Sequence, residues 1–396
     1  MSSVLAIYQA ACAFAWLALV LFAWLARGRL YGIFVAVVVG IHTLISVGVA
    51  RLYGPLLFGA FYFQLAVYVH FGMLVRGRLR PAAYRALVSM PANWFAAATL
   101  LSWPWAIANA AGFSPALWFV PHLLGLVGLF QSLKTRTERV GLHLDKENFA
   151  VLARAPLRKP VDRRPLRIVQ ITDPHLGPFM SEARLRGIVE RAVAAAPDLV
   201  LLTGDFVTME SHGEGAALSR AFEPLAQLEG RVFACRGNHD FEAPQTVAAA
   251  LGSAGVRLLV DEAVLVDTPA GRVHIVGLDF AFRDRRARIE RALAAHPRPD
   301  DALRLVLLHD PGAFRHIADG EADLVLAGHT HGGQLGLLSL GLKATVVSLL
   351  TKIPDHGLWG LGRNRLYVHR GTGHYGFPLR IGVPGEESVL EVTWDG

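Results

Sequence analysis

The sequence predicts an all-α, multi-span membrane region over the first third of the chain and an α/β domain over the remainder. The 396 residues are 53% hydrophobic and 18% charged, which is too apolar for an ordinary soluble protein. The apolar excess lies in residues 1–133, whereas short apolar runs alternate with helical patterns from residue 166 onward. We therefore expect a transmembrane region over 1–133, a linker over 134–165 and an α/β domain over 166–396.

Five apolar segments in the first 133 residues predict five membrane-spanning helices. A helix needs about 20 apolar residues to cross the hydrocarbon core of a bilayer. The first segment is not typical of a signal peptide, because its first basic residue, Arg27, follows the apolar stretch. Pro91 and Pro104 interrupt the fourth segment, and the fifth is short. The segments cover residues 4–26, 30–50, 55–75, 86–110 and 115–133.

The distribution of basic residues predicts the orientation of these helices. Nine Lys and Arg residues follow the first, third and fifth segments, whereas Arg51 stands alone on the opposite side. The positive-inside rule then places the α/β domain in the cytoplasm, at the inner membrane. The net charge of +7 is explained by this pattern, and no nucleic-acid partner is expected. The nine residues are Arg27, Arg29, Arg76, Arg78, Arg80, Arg85, Lys134, Arg136 and Arg139.

The α/β prediction comes from eight short apolar runs, each of the length of a buried strand. Between several of them lie stretches with helical periodicity, near residues 181–196, 215–228, 244–254 and 284–295. The runs cover residues 166–171, 199–202, 232–235, 273–276, 303–308, 324–326, 366–368 and 389–392.

Five of these runs end in Asp, Asn or His. Ligands collect at the carboxyl ends of strands in α/β sheets, so we expect these side chains to share one site. Asp173 and His175 have i, i+2 spacing, as do His329 and His331, and residues with this spacing point to the same side of an extended backbone. The motifs are Asp173-Pro174-His175, Gly204-Asp205, Gly237-Asn238-His239-Asp240, His309-Asp310 and Gly328-His329-Thr330-His331.

These residue types indicate a divalent-metal site. Imidazole and carboxylate bind manganese, iron or zinc. The two cysteines, Cys12 and Cys235, stand far apart in the sequence and offer no thiolate cluster. We expect manganese, and leave iron and zinc open.

The five motifs, in this order, resemble those of the calcineurin-like metallophosphoesterase superfamily, over about residues 165–396. The membrane region, Gly332-Gly333-Gln334 after the last histidine and Arg370-Gly371-Thr372-Gly373 are most similar to its bacterial membrane-associated subgroup. The resemblance implies a metallophosphoesterase fold, in which two packed mixed β-sheets are flanked by helices.

The resemblance also implies a ligand set for two divalent metal ions, with Asp205 bridging them. His239 would bind no metal; it would stabilise the transition state or protonate the leaving oxygen, with Asp240 orienting its ring. One ion would be held by Asp173, His175, Asp205 and His331, and the other by Asp205, Asn238, His309 and His329. The candidate phosphate contacts, each of which could instead be an ion-pair residue, are Arg236, Arg370 and Arg380.

Together, the motifs and the resemblance predict a membrane-anchored phosphohydrolase. It would use metal-activated water to cleave phosphate ester or pyrophosphate bonds in a phosphorylated small molecule or in a lipid-linked or nucleotide-linked substrate. The alternative is a membrane receptor or transporter whose metal domain senses without turnover. The complete ligand set and His239 argue against that alternative. The type of bond and the oligomeric state stay open.

An apolar stretch follows the last motif directly. Residues 335–354 contain only two charges, Lys343 and Lys352. Because a large exposed apolar patch usually marks a partner or membrane surface, we consider two placements. The stretch packs against the domain's own sheet edge or the membrane helices, or it enters the bilayer interface with both lysines on anionic headgroups. The lipid bilayer is thus a predicted partner.

Overall fold

The computed structural model describes residues 2–145 and 147–395. These residues form two compact units. The N-terminal unit comprises the chain up to Phe130 together with Gly376–Leu379, and the C-terminal unit comprises Gln131–Tyr375 and the chain from Arg380 onward.

Helices account for the regular structure of the first 132 residues. The helices are α1 (Ser2–Arg27), α2 (Arg29–Val49), α3 (Leu57–Met73), α4 (Ala82–Tyr84), α5 (Met90–Leu101), α6 (Trp103–Ala110) and α7 (Val120–Ser132). The longest, α1, α2 and α3, coincide with the first three predicted segments. A 3₁₀ turn, Ala50–Leu56, joins α2 to α3, and a π turn, Arg85–Ser89, precedes α5.

Two helical stretches of the described chain, Ser3–Arg27 and Arg29–Met73, are long and apolar enough to cross a membrane. The fourth predicted segment is divided at Ser102, and Pro104 lies in the first turn of α6, where its missing N–H disturbs no helical hydrogen bond. With 13 residues, α7 is about 20 Å long, shorter than the roughly 30 Å hydrocarbon core. The count of five spans therefore stays a prediction.

The long N-terminal helices place apolar side chains outward and polar pairs inward, as membrane helices do. The Tyr8 hydroxyl lies 2.7 Å from Ser46 Oγ, and His42 Nε2 lies 3.1 Å from Gln64 Oε1; all four residues are buried. Large exposed apolar residues on these helices include Phe14, Leu25, Leu30, Leu44 and Phe58.

The C-terminal unit contains two mixed β-sheets, as predicted. The strands are β1 (Thr135–Leu144), β2 (Phe149–Arg154), β3 (Leu166–Ile171), β4 (Leu199–Leu202), β5 (Val232–Ala234), β6 (Arg257–Leu258), β7 (Glu262–Thr268), β8 (Gly271–Gly277), β9 (Ala302–Leu307), β10 (Leu324–Ala327), β11 (Gly357–Gly362), β12 (Asn364–Val368) and β13 (Gly385–Trp394). The first sheet has the strand order β1-β13-β3-β4-β5-β6 and the second β2-β11-β12-β10-β9-β8-β7.

The core lies between the two sheets. Ile168 and Leu201 of the first sheet and Ile275 and Leu305 of the second belong to one buried apolar cluster. The helix Arg285–Ala295 covers the outer face of the second sheet, and its Ile289 belongs to a second buried apolar cluster. The helices of this unit are α8 (Glu182–Ala194), α9 (Gly215–Phe222), α10 (Pro244–Ser253), α11 (Arg285–Ala295) and α12 (Val346–Leu350).

Residues 134–165, which we expected to form a linker, supply two strands to the sheets. β1 runs parallel to β13 from the pair Thr135–Gly385 to the pair Leu144–Trp394, and β2 runs antiparallel to β11. The prolines that suggested a linker, at 156, 160 and 165, follow β2 and do not interrupt either strand. The α/β unit therefore begins at Gln131, not at residue 166.

Parallel pairing brings the predicted motifs to the same edge of each sheet. β3, β4 and β5 are parallel neighbours, as are β9 and β10. Their carboxyl ends therefore lead into the loops that carry the Asp, Asn and His motifs.

Candidate metal centre

Five of the seven residues expected to bind metal adopt an unfavourable backbone conformation. The described chain contains ten non-glycine residues with positive φ, and five of them are Asp173, His175, Asp205, His329 and His331. The left-handed region costs a side-chain-bearing residue about 1–2 kcal/mol. Such strain concentrates at functional sites, where surrounding contacts hold the backbone in place.

Asp173, His175 and His331 form one cluster of ligand atoms. His175 Nε2 lies 3.3 Å from His331 Nε2, and His331 Nε2 lies 3.4 Å from Asp173 Oδ1. All three side chains are buried. The three ligand atoms could hold one metal ion, as predicted for three of its four ligands.

Asp205, His309 and His329 form a second cluster. His309 Nε2 lies 3.2 Å from Asp205 Oδ2 and 3.2 Å from His329 Nδ1. Asp205 Oδ2 also lies 3.7 Å from His175 Nε2 in the first cluster. The carboxylate of Asp205 therefore lies between the two clusters.

Asn238 provides a test of whether these residues fit a metal ion. Its buried Oδ1 atom accepts no hydrogen bond from the described residues. Its neighbour His239 donates its backbone N–H to Asp205 Oδ1 at 2.9 Å, which holds this loop against the second cluster. A buried amide oxygen without a donor is costly, and a divalent cation would satisfy it. The nitrogen and oxygen atoms of the site suit a divalent metal.

Backbone carbonyl groups orient two of the imidazole rings. His309 Nδ1 lies 2.6 Å from the Thr203 carbonyl oxygen, and His175 Nδ1 lies 3.4 Å from that of Val207. An Nδ1–H that donates to a carbonyl leaves Nε2 unprotonated and available to a metal. In both rings, Nε2 is the nitrogen that lies near Asp205 Oδ2.

Burial and neighbouring charges shift the pKa values of the side chains in both clusters. Burial raises the pKa of Asp173 to about 6 and lowers the pKa of His175 to about 3. Burial would also lower the pKa of His309, but the charge of Asp205 outweighs it and raises that pKa to about 10. Cation binding at the second cluster therefore competes with a proton on His309.

His239 lies beside the clusters, and Glu242 holds it in place. His239 Nδ1 lies 2.9 Å from Glu242 Oε1, and the ring stacks on Tyr375 with 4.0 Å between centroids. Burial lowers the pKa of His239, but the hydrogen bond to Glu242 and the charge of Asp205 raise it above its usual value. The centroid of the His239 ring is 5.6 Å from that of His175, so the ring borders the first cluster.

The predicted role of Asp240 is wrong. Its carboxylate accepts the backbone N–H groups of Asp205, Phe206 and Gly237, each at 2.8 Å, and it is completely buried. With both oxygens directed at the backbone, Asp240 orients the two ligand loops, whereas Glu242 orients the His239 ring.

The three arginines proposed as phosphate contacts belong to the framework of the site. Arg236 forms a two-pronged ion pair with Asp279, at 2.9 and 2.7 Å. Arg370 forms ion pairs with Glu386, at 2.9 Å, and with Glu138. Both arginines are therefore ion-pair residues, which was the alternative to a phosphate contact in the sequence analysis.

Arg380 is completely buried, and its guanidinium donates to main-chain carbonyl groups. Nη2 lies 2.7 Å from the Arg370 oxygen, Nε lies 3.1 Å from the Gly373 oxygen and Nη1 lies 3.2 Å from the His331 oxygen. Arg380 therefore holds the His331 loop to the loop of residues 370–373 and offers no surface to a substrate.

Sequence reasoning missed Glu242 and Tyr375. Glu242 carried a usable signal, because it follows His239 by three residues and both lie in the 3₁₀ turn His239–Glu242. Tyr375 lies in an irregular segment, and no pattern in the sequence connects it to the strand-end motifs.

Comparison with known proteins agrees with this geometry. Residues 166–333 match the sequence model of the family described as calcineurin-like phosphoesterase. Phosphodiesterase YaeI of Escherichia coli is 31% identical over 233 residues, which cover 58% of this chain and 83% of that protein.

Two further relatives are similar over the same region. A transmembrane protein with metallophosphoesterase domain from Danio rerio is 30% identical over 250 residues, and an uncharacterized metallophosphoesterase from Helicobacter pylori is 29% identical over 234 residues. The matches cover 57% of this chain in both cases, and 54% and 60% of those proteins, so the chain spans little more than half of their lengths. From its motifs, site geometry and relatives, the chain belongs to the calcineurin-like phosphoesterase family and is a metal-dependent phosphoesterase.

Proposed function

We propose that this chain is a membrane-anchored phosphodiesterase that uses two divalent metal ions to hydrolyse its substrate. The position of Asp205 between the two clusters carries this proposal, because one carboxylate shared by both keeps two cations close together. Similarity to a protein named phosphodiesterase favours a diester over a monoester or a pyrophosphate.

The residues that would hold the ions are those of the two clusters together with Asn238. Two divalent ions supply the positive charge that a phosphoryl group needs during displacement, and they acidify water to make a nucleophile. Manganese fits the nitrogen and oxygen ligands, and iron and zinc are the alternatives. The nearby Cys235 is buried at the end of β5 and belongs to neither cluster.

His239 supplies the proton for the leaving oxygen in this proposal. Its Nδ1 faces Glu242, so Nε2 is the ring atom that donates. The neighbouring carboxylate favours the protonated ring, and the stack on Tyr375 fixes the ring plane. The chain's own contribution is therefore a proton held at a defined atom beside the two clusters.

Anchoring in the membrane is supported by the two long apolar stretches, Ser3–Arg27 and Arg29–Met73, and by a relative named as a transmembrane protein. We further propose five spans, on the basis of the apolar segments of the sequence. The distribution of basic residues supports an inner-membrane location with the catalytic unit in the cytoplasm.

The proposal is tested with the full chain purified in detergent. Metal content would be measured beside hydrolysis of bis(p-nitrophenyl) phosphate, p-nitrophenyl phosphate and a sugar-nucleotide pyrophosphate. We expect two ions per chain and highest turnover on the diester. Asp205→Asn should lose both metal and turnover. A chain that holds two ions but hydrolyses none of the three compounds would instead be a metal-binding sensor.

A further inference from the structure

A second surface of the C-terminal unit lies next to the metal ligands. We name residues 335–353 the apolar lip. Five of its leucines are exposed, an arrangement that a protein surface in water usually avoids over a contiguous area. The exposed fractions are 44% for Leu337, 75% for Leu340, 54% for Leu342, 75% for Leu349 and 78% for Leu350.

Hydrogen bonds fix the lip in this exposed arrangement. The Leu337 N–H donates to the Ala344 oxygen at 2.9 Å, and the Val346 N–H donates to the Leu335 oxygen at 2.9 Å, so the lip folds back on itself. At the start of α12, the Thr345 hydroxyl accepts the Ser348 N–H and Ser348 Oγ accepts the Thr345 N–H. The exposure of the leucines is therefore built into a capped and hydrogen-bonded element.

Both ends of the lip are tied to the metal-ligand loop. The lip begins four residues after His331, which places Leu335 within about 14 Å of that ligand along the chain. At the far end, the Asp355 carboxylate accepts the Thr345 hydroxyl, and the Asp355 carbonyl accepts the hydroxyl of Thr330 at 2.7 Å. Thr330 lies between His329 and His331, so the lip is joined at both ends to the loop that carries these two histidines.

The charges of the lip identify what would cover it. Lys343 and Lys352 are exposed, and residues 335–353 contain no Asp or Glu. Exposed leucines beside lysines match the interface of an anionic bilayer, where acyl chains accept the leucines and phosphate headgroups accept the lysines. The apolar helices of the N-terminal unit would bring the same chain to that interface.

We propose that the apolar lip inserts into the interface of an anionic bilayer, and that the substrate is a phosphodiester of a lipid whose acyl chains stay in that bilayer. This inference rests on the proposed phosphodiesterase function. It narrows the substrate class from phosphodiesters in general to those presented at a membrane surface.

The insertion of the lip can be tested without an activity assay, by measuring how deeply spin labels attached to the lip lie in a bilayer. Full-length Leu340→Cys and Leu349→Cys variants would carry a nitroxide spin label, in nanodiscs of phosphatidylcholine and phosphatidylglycerol. Leu265→Cys on β7 is the control, because Leu265 is also an exposed leucine of the C-terminal unit. Cys12 and Cys235 are buried, and labelling of the unmodified chain measures their background.

We expect the lip labels to be reached by oxygen, which concentrates in the bilayer, and shielded from a water-soluble nickel chelate. The Leu265 label should show the reverse. If the nickel chelate reaches the lip labels as readily as it reaches the Leu265 label, the proposal is overturned. Lip labels shielded from both reagents would also overturn it, since a second copy or a partner protein would then cover the lip.

Hydrolysis tests the substrate class. Leu349→Asp should lower kcat/KM by about tenfold or more on a phosphodiester lipid in vesicles, because it removes the burial of a leucine and adds a charge. On bis(p-nitrophenyl) phosphate in solution, kcat/KM should stay within about twofold of the unmodified chain, a change too small to reflect a lost contact. Leu265→Asp should change neither.

The two proposals fail in different ways. Equal losses on both substrates for Leu349→Asp, or no loss on either, would refute access through the lip while leaving the phosphodiesterase assignment intact. An unmodified chain that holds metal but cleaves neither substrate would refute the phosphodiesterase assignment, and the spin-label depths would still decide whether the lip enters the bilayer.

Discussion

Glu242 Oε1 lies 2.9 Å from His239 Nδ1, and this contact sets the orientation of the imidazole beside the metal ligands. The other carboxylate oxygen lies 3.3 Å from His212 Nε2. Glu242 thus spans two histidines from different loops. Since Glu242 occupies His239 Nδ1, Nε2 is the ring atom that would act on a substrate in the proposed mechanism.

Glu242→Gln should lower turnover by about 10-fold to 100-fold while leaving metal content unchanged, because it removes the charge that orients His239 and favours its protonated form. Glu242 raises the pKa of His239, so its loss lowers that pKa. If the protonated ring is the acid, the alkaline limb of the pH–rate profile moves to lower pH. Glu229→Gln, at an exposed position, is the control. An unshifted alkaline limb would contradict the role given to Glu242.

His239→Ala should reduce turnover by about 10²-fold to 10⁴-fold, the usual contribution of a general acid. Both ions should be retained, because the two clusters are formed without His239. Elemental analysis of the purified variant provides the measurement. Loss of two ions would show that His239 is a ligand or supports one, and the acid role would then have to be abandoned.

Acid should destabilise the chain through Glu386. Burial raises the pKa of this carboxyl group, but the charges of His369 and Arg370 outweigh it and bring the pKa down to about 2. Because the folded-state pKa is depressed, the stabilisation is present above the ordinary pKa of 4.5 and is lost as the pH falls from 4.5 towards 2.

Thermal unfolding of the full chain in detergent at a series of pH values tests this linkage. Glu386→Gln should be less stable than the unmodified chain near neutral pH and should lose less stability across the acid window. If the stability of Glu386→Gln and that of the unmodified chain fall in parallel as the pH decreases from 4.5 towards 2, groups other than Glu386 cause the acid sensitivity.

The orientation predicted from the basic residues can be tested with a reporter fused to the C-terminus. A reporter that matures only inside the cell should be active there, because the basic residues place the catalytic unit in the cytoplasm. Fusion after Arg51, on the opposite side in this prediction, provides the control. Activity of a periplasm-dependent reporter at the C-terminus would contradict both the orientation and the count of five spans.

The central strands and the residues of the two clusters could be predicted from the sequence because each strand is a short, mainly apolar run that ends in a polar motif. β4 and β10 are buried along their whole length and β3 at every position except Arg167, and the strands are followed by Asp173, Asp205 and His329. The strand-end positions and the i, i+2 spacing predicted one shared site, whereas the division of these residues into two clusters was implied by the resemblance to the calcineurin-like superfamily.

Edge strands and supporting residues could not be predicted in this way. β7 and the first half of β1 contain only exposed and partly buried positions, so neither shows the continuous apolar run of a central strand. Only the end of β1 is buried, at Leu142 and Leu144. Arg380 has no local signal for its role: its acceptors lie on loops up to 49 residues away, and only the folded topology brings them to its guanidinium.

The pairing of β1 with β13 has a practical consequence for dissecting the protein. A fragment begun at residue 166 would lack β1 and β2, leaving the N–H and C=O groups of β13 and β11 unpaired along one side. Such open strands recruit one another and aggregate. A fragment begun at Gln131 keeps both flanking strands. Insolubility of the shorter fragment would therefore report a misplaced boundary and carry no information about whether the metal centre can form outside the membrane.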